Sequence, residues 1–132
     1  MKTKIALLLA IVLLAACSPA ILRLGTLVLK PGQSATSADG SVSVTFVELI
    51  QDSRCPADAM CIWQGNVRVL IEVRQGTEMQ RYTLTLGALL EGDVSSISLP
   101  GYTITLKDVQ PYPLTSQPSS PADYEITLGI SY

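Results

Sequence analysis

A chain of 132 residues with nine basic and eleven acidic side chains carries a net charge of −2, and it contains no histidine. The missing imidazole excludes Ser-His and Cys-His catalysis and every zinc site that needs a histidine ligand. Mild acidity without a basic run argues against nucleic acid as a partner, and the length suits a single domain of ordinary size.

In chain order, residues 1–4 carry two lysines, residues 5–16 form an unbroken apolar run, and Leu14-Ala15-Ala16-Cys17 closes the segment. At about 1.5 Å per residue the run reaches roughly 18 Å as a helix, short of a bilayer core of about 30 Å. A positive start, an apolar middle and small residues at the cut are the marks of an export signal. With its cysteine in that place the segment resembles a bacterial lipoprotein signal, the lipobox being Leu14 to Cys17. The resemblance implies cleavage before Cys17, diacylglycerol on its sulfur and an acyl chain such as palmitate on the new amine. It also implies a mature chain in the cell envelope, lipid-anchored on the extracytoplasmic side of a bacterial membrane, outer or cytoplasmic.

Loss of residues 1–16 removes Lys2 and Lys4 and leaves seven basic against eleven acidic residues, a net charge of −4. Lipidation uses Cys17 and leaves Cys55 and Cys61 as a pair, in a compartment where disulfides persist. Pro56 favours the turn that would bring them together. Residues 17–23 are read as the lipidated cysteine and a short tether, and residues 24–132 as the domain. Residues 18–22 reach less than roughly 20 Å even when extended, so the domain is expected to sit close to the bilayer.

Beyond the tether the hydrophobic period is two. Leu27 to Leu29 begins it, Lys30-Pro31-Gly32 ends that strand, and residues 33–40 are small and polar with a turn signal at Asp39-Gly40. Val42, Val44 and Phe46 alternate with polar residues, as do Val67, Val69, Ile71 and Val73. Gln75-Gly76 reads as a hairpin turn into Tyr82, Leu84 and Leu86. Short strands are expected over 94–99 and 102–107, and a last one carries Tyr124, Ile126, Leu128 and Ile130. Residues 110–122 hold four prolines and are expected to be extended and exposed. About seven short strands without a helix-period stretch predict an all-β fold, a single antiparallel β-sandwich or small barrel with a disulfide-closed loop.

One segment, residues 52–66, interrupts the alternation. Ser53-Arg54-Cys55-Pro56, a spacer, then Cys61-Ile62-Trp63 and Gly65 resemble a family of small, largely uncharacterised bacterial envelope proteins, with weaker similarity at Gly101-Tyr102 and Pro111-Tyr112-Pro113. The resemblance implies a fold unit and no chemistry. Three readings of the loop follow from its residues. It is a disulfide-closed knuckle joining two strands, with Arg54 paired to Asp52, Asp58 or Glu48 and Gly65 at positive φ. Alternatively Cys55, Met60 and Cys61 offer two thiolates and a thioether, a soft set suited to copper(I). Or it is a stiff binding loop presenting Arg54, Met60, Ile62 and Trp63.

The expected role is a lipid-anchored binding or structural module with no catalytic activity and no cofactor. Its partners are the membrane, through the anchor, and an envelope protein. Copper handling is the alternative, and inhibition of an envelope hydrolase the third reading. Catalysis would need Lys30 or Lys107 as a serine's base, or converging carboxylates such as Glu48, Asp52 and Asp58.

Overall fold

The structure, a computed structural model, describes residues 20–22 and 25–131. The signal segment and the lipidation site Cys17 lie outside the described residues. The described residues form a β-sandwich of two sheets. One holds β1 (Ala20–Leu22), β3 (Ser34–Ser37), β4 (Val42–Asp52), β5 (Asn66–Gln75) and β6 (Glu78–Gly87), in the order β1-β3-β4-β5-β6. The other holds β2 (Gly25–Leu29), β9 (Glu125–Ser131), β8 (Tyr102–Gln110) and β7 (Ser96–Leu99), in that order. All pairings are antiparallel except the parallel contact of β1 with β3.

The inward rows are those that the alternation marks. Val42, Val44, Phe46, Val67, Val69, Ile71, Val73 and Leu84 from the first sheet meet Leu29, Ile104, Leu106, Val109, Ile126, Leu128 and Ile130 from the second in one buried cluster. Each such side chain contributes roughly 1.5–3 kcal/mol by leaving water. Where register slips, the alternation slips with it. Bulges between Phe46 and Glu48 and between Leu49 and Gln51 move β4 out of phase, so that Leu49 packs on the core beside the exposed Ile50. A shift between Leu106 and Asp108 does the same in β8 and buries Val109.

Two strands run through segments expected to be loop or tether. β1 occupies three residues of the 17–23 tether, leaving only Ser18 and Pro19 between Cys17 and the sheet. β3 occupies the small polar stretch before Asp39, where Ala35 and Ser37 face inward. Burial of Ser37 is possible because its hydroxyl accepts from the Val42 N–H (2.9 Å) and donates to the Asp39 carboxylate (2.6 Å). Asp39 also accepts from the backbone N–H and the hydroxyl of Ser41, at 3.0 and 2.8 Å.

Loops 53–65, 88–95 and 111–124 share one end of the sandwich, as the pairs Asp52↔Val67, Asn66↔Gly87 and Gln110↔Glu125 require. The β5–β6 hairpin and the β7–β8 turn share the other end, where the Gln75 side chain donates to the Pro100 carbonyl (3.2 Å).

The bonds from Ser37 and Ser41 hold the Asp39 carboxyl down at about 2. A lowered carboxyl stabilises the fold above its unfolded pKa, and that contribution is lost as pH falls through the folded value. An NMR titration of the Asp39 carboxyl carbon is therefore expected to show a midpoint near 2. Ser37→Ala should move it toward the ordinary aspartate value, since the Ser37 hydroxyl is its largest cause.

Candidate functional site

The disulfide loop grows from its root. β4 ends at Asp52, and two residues on Arg54 turns its side chain into the end of the sandwich, where only 8% of the residue remains exposed. Its Nε and Nη2 donate to the two oxygens of Asp52, at 2.8 and 2.6 Å, a bidentate fork with both side chains more than nine-tenths buried. The remaining donors cross to the second sheet. Nη1 donates to the Val109 carbonyl (2.7 Å) and Nη2 to the Pro111 carbonyl (3.0 Å), while the guanidinium lies 4.6 Å from the centre of the Tyr112 ring. Tyr124, entering β9, donates its hydroxyl to Asp52 (3.2 Å). Burial first, and then the Asp52 charge, push the Tyr124 phenol above its usual range.

Beyond the root, Cys55 and Cys61 are joined by a disulfide with their Cα atoms 5.8 Å apart. The ring is pinned to the proline-rich loop. Ala57 donates its N–H to the Pro113 carbonyl (3.0 Å), and Asp58 accepts from the N–H and hydroxyl of Thr115, both at 2.8 Å, and from Ser116 N–H (3.3 Å). These bonds to Thr115 lower the Asp58 pKa. Residues 111–120 are otherwise largely exposed, as their prolines suggest, and with Asp123 they line an open concavity of about 490 Å³.

The return into β5 is held by close backbone contact. Gly65 has φ +68°, and a Cβ there would stand 1.9 Å from the Ser53 carbonyl oxygen. Ser53 and Asn66 exchange bonds across the neck: Ser53 N–H donates to the Asn66 carbonyl (2.8 Å), and Asn66 N–H to the Ser53 hydroxyl (3.2 Å). The buried Asn66 side chain donates to the Ala88 carbonyl (2.9 Å), and Ala88 N–H to the Gly65 carbonyl (2.9 Å).

With its root and neck so fixed, the loop carries its apolar residues outward. Met60 and Ile62 are fully exposed and Trp63 is 62% exposed. The four candidate binding residues therefore divide: Met60, Ile62 and Trp63 form the tip, and Arg54 points inward as part of the root. Cys55 and Cys61 are bonded to each other, so neither sulfur is a thiolate, and the soft-metal set with Met60 would first require reduction. Among the described residues no three histidine, cysteine or acidic side chains converge as metal ligands. Of the carboxylates weighed for catalysis, Asp52 and Asp58 are engaged as acceptors for Arg54 and Thr115. Asp93, in the Glu91-Gly92-Asp93 turn, pairs with Arg68 (3.5 Å).

The pin from Asp58 to Thr115 spans 57 residues of sequence, and nothing in the local pattern of either residue signals it. No family model, no curated protein and no solved structure matches this chain.

Two substitutions test the root and the neck. Arg54→Met leaves Asp52 buried without its cation and is expected to cost about 3–5 kcal/mol in equilibrium unfolding. Asp52→Asn in addition should recover only part of that loss, because the Val109 and Pro111 carbonyls stay without a donor. Gly65→Ala combines a left-handed backbone with a collision at the Ser53 carbonyl, and about 2 kcal/mol or more of stability should be lost.

Proposed function

We propose that this protein is a lipid-anchored binding module of the bacterial cell envelope, held to the membrane through Cys17 and working through the tip of its disulfide loop. The observation that carries the reading is the exposure of Met60, Ile62 and Trp63 on a loop whose root, ring and neck are all immobilised. A loop backbone held in place before contact loses little conformational freedom on docking, and tryptophan is a favoured interface anchor. The lipobox at Leu14 to Cys17 supports the anchor, and the disulfide accords with an exported chain.

The reading predicts cleavage before Cys17, an N-terminal Cys17 whose mass carries diacylglycerol and an acyl chain, no titratable thiol at Cys55 or Cys61, and no copper(I) uptake. In cells, a photoreactive side chain at position 62 should form adducts with a defined envelope component, and one at position 80, on the outer edge strand, should not. Equal adduct formation at the two positions would remove the tip from its role. Free thiols that bind one copper ion would favour copper handling through Cys55, Met60 and Cys61 instead.

A further inference from the structure

Three observations bear on what the tip meets: its composition, the bonds that hold its loop and the direction of β1. Between Cys55 and Val67 the only charged residue is Asp58, and its carboxylate is turned onto Thr115 and Ser116. The outward residues Met60, Ile62 and Trp63 thus form an uncharged, apolar projection. Nearby on the same end, the 88–95 loop, joined to the neck through Ala88 and Gly65, exposes Leu89 and Leu90.

β1 is parallel to β3, and β3 is antiparallel to β4, which runs toward the disulfide loop. β1 therefore runs away from that loop, and Ala20 is its nearest point to it. Cys17 is three residues ahead of Ala20, a reach of roughly 11 Å at most. Ala20 lies in the row of Ala35 and Val44, eight residues short of Asp52 along β4, or roughly 25 Å. A bilayer holding acyl chains on Cys17 then lies within a few tens of ångströms of the root of the loop, and a tilt of the domain about its tether can bring the tip onto it. So short a tether keeps the effective concentration of bilayer at the tip high.

We propose that the tip inserts Met60, Ile62 and Trp63 into the interfacial zone of the same bilayer that carries the anchor, giving the domain a second point of attachment. This rests on the lipid-anchor reading above. Tryptophan is at home at that depth, with its ring among the acyl ends and its N–H among the headgroups. Because the loop presents no exposed cation, apolar burial drives the contact, and anionic headgroups are not needed.

Trp63 is the only tryptophan in the chain, so intrinsic fluorescence reads the tip directly. The full lipidated protein would be reconstituted into phosphatidylcholine vesicles containing lipids brominated either near the headgroup or deep in the chain. Expected are a blue shift of the Trp63 emission and loss of most of it with the shallow bromines, unchanged by salt. The variant Met60→Asp/Ile62→Asp should stay on the vesicles through its lipid and lose the quenching. Both side chains are fully exposed, so the fold is not at stake. An unquenched, unshifted Trp63 in lipidated, vesicle-bound protein would overturn the insertion and leave the anchor standing, with the tip then facing a protein partner. A chain whose intact mass lacks diacylglycerol would overturn the anchor and the insertion together.

Discussion

The end of the sandwich that carries the loop depends on one buried ion pair. Arg54 and Asp52 are two residues apart, yet the fork they form fastens distant pieces of chain, because the guanidinium spends its other donors on Val109 and Pro111. Lysine offers no such planar set of donors, so the pairing is specific to arginine. Taking both charges out of water is expensive, and a buried pair is weak evidence of net stability. What it supplies is position. The departure of β4 and the departure of β8 are set relative to each other by one side chain, and Tyr112 and Tyr124 close over it.

From that point outward, each segment of the loop is held by a different kind of bond. A covalent ring closes Cys55 to Cys61, charge-assisted hydrogen bonds tie Asp58 to Thr115, and a backbone approach that only glycine permits brings Gly65 against Ser53. The proline-rich connection contributes as well. Its exposed course would be an entropic liability if free, but Pro113 and Thr115 accept and donate the bonds that fix the ring. The two loops are thus tied to one another. Asp58 accepts these bonds most strongly when ionised, so this mutual support weakens as pH falls through its lowered pKa.

The strands were legible where the alternation is regular. Val67 to Val73 and Val42 to Phe46 read as half-buried strands because each places branched or aromatic side chains on one face only. β3 was not legible, since Ser34, Ala35, Thr36 and Ser37 lack that contrast and Ser37 is buried through its hydroxyl bonds instead of its hydrophobicity. The far half of β4 was hidden by two bulges that break the period. In the loop, the disulfide, the positive φ of Gly65 and an ion pair of Arg54 with Asp52, Asp58 or Glu48 could be anticipated from residue type and proximity, and Asp52 is the partner found. The inward turn of Arg54 could not, because its other partners lie 55 and 57 residues away.

Residues 52–65 invert the usual distribution of side chains between inside and outside. Arginine and aspartate, which are almost never fully buried unless paired, form the interior of this end, while isoleucine, methionine and tryptophan face water. Single exposed apolar residues are ordinary on any surface. Here, however, they occupy neighbouring positions at and just beyond a disulfide ring, on a loop tied down by covalent and hydrogen bonds at its root, ring and neck. A loop free of these bonds would gain by burying its isoleucine and tryptophan against apolar surface. The bonds at Cys55, Asp58 and Gly65 deny the loop that collapse, and the apolar tip is kept open to whatever environment the domain meets at this end. Rigidity in the root and apolarity at the tip are therefore parts of one device, since without the first the second would not remain on the surface.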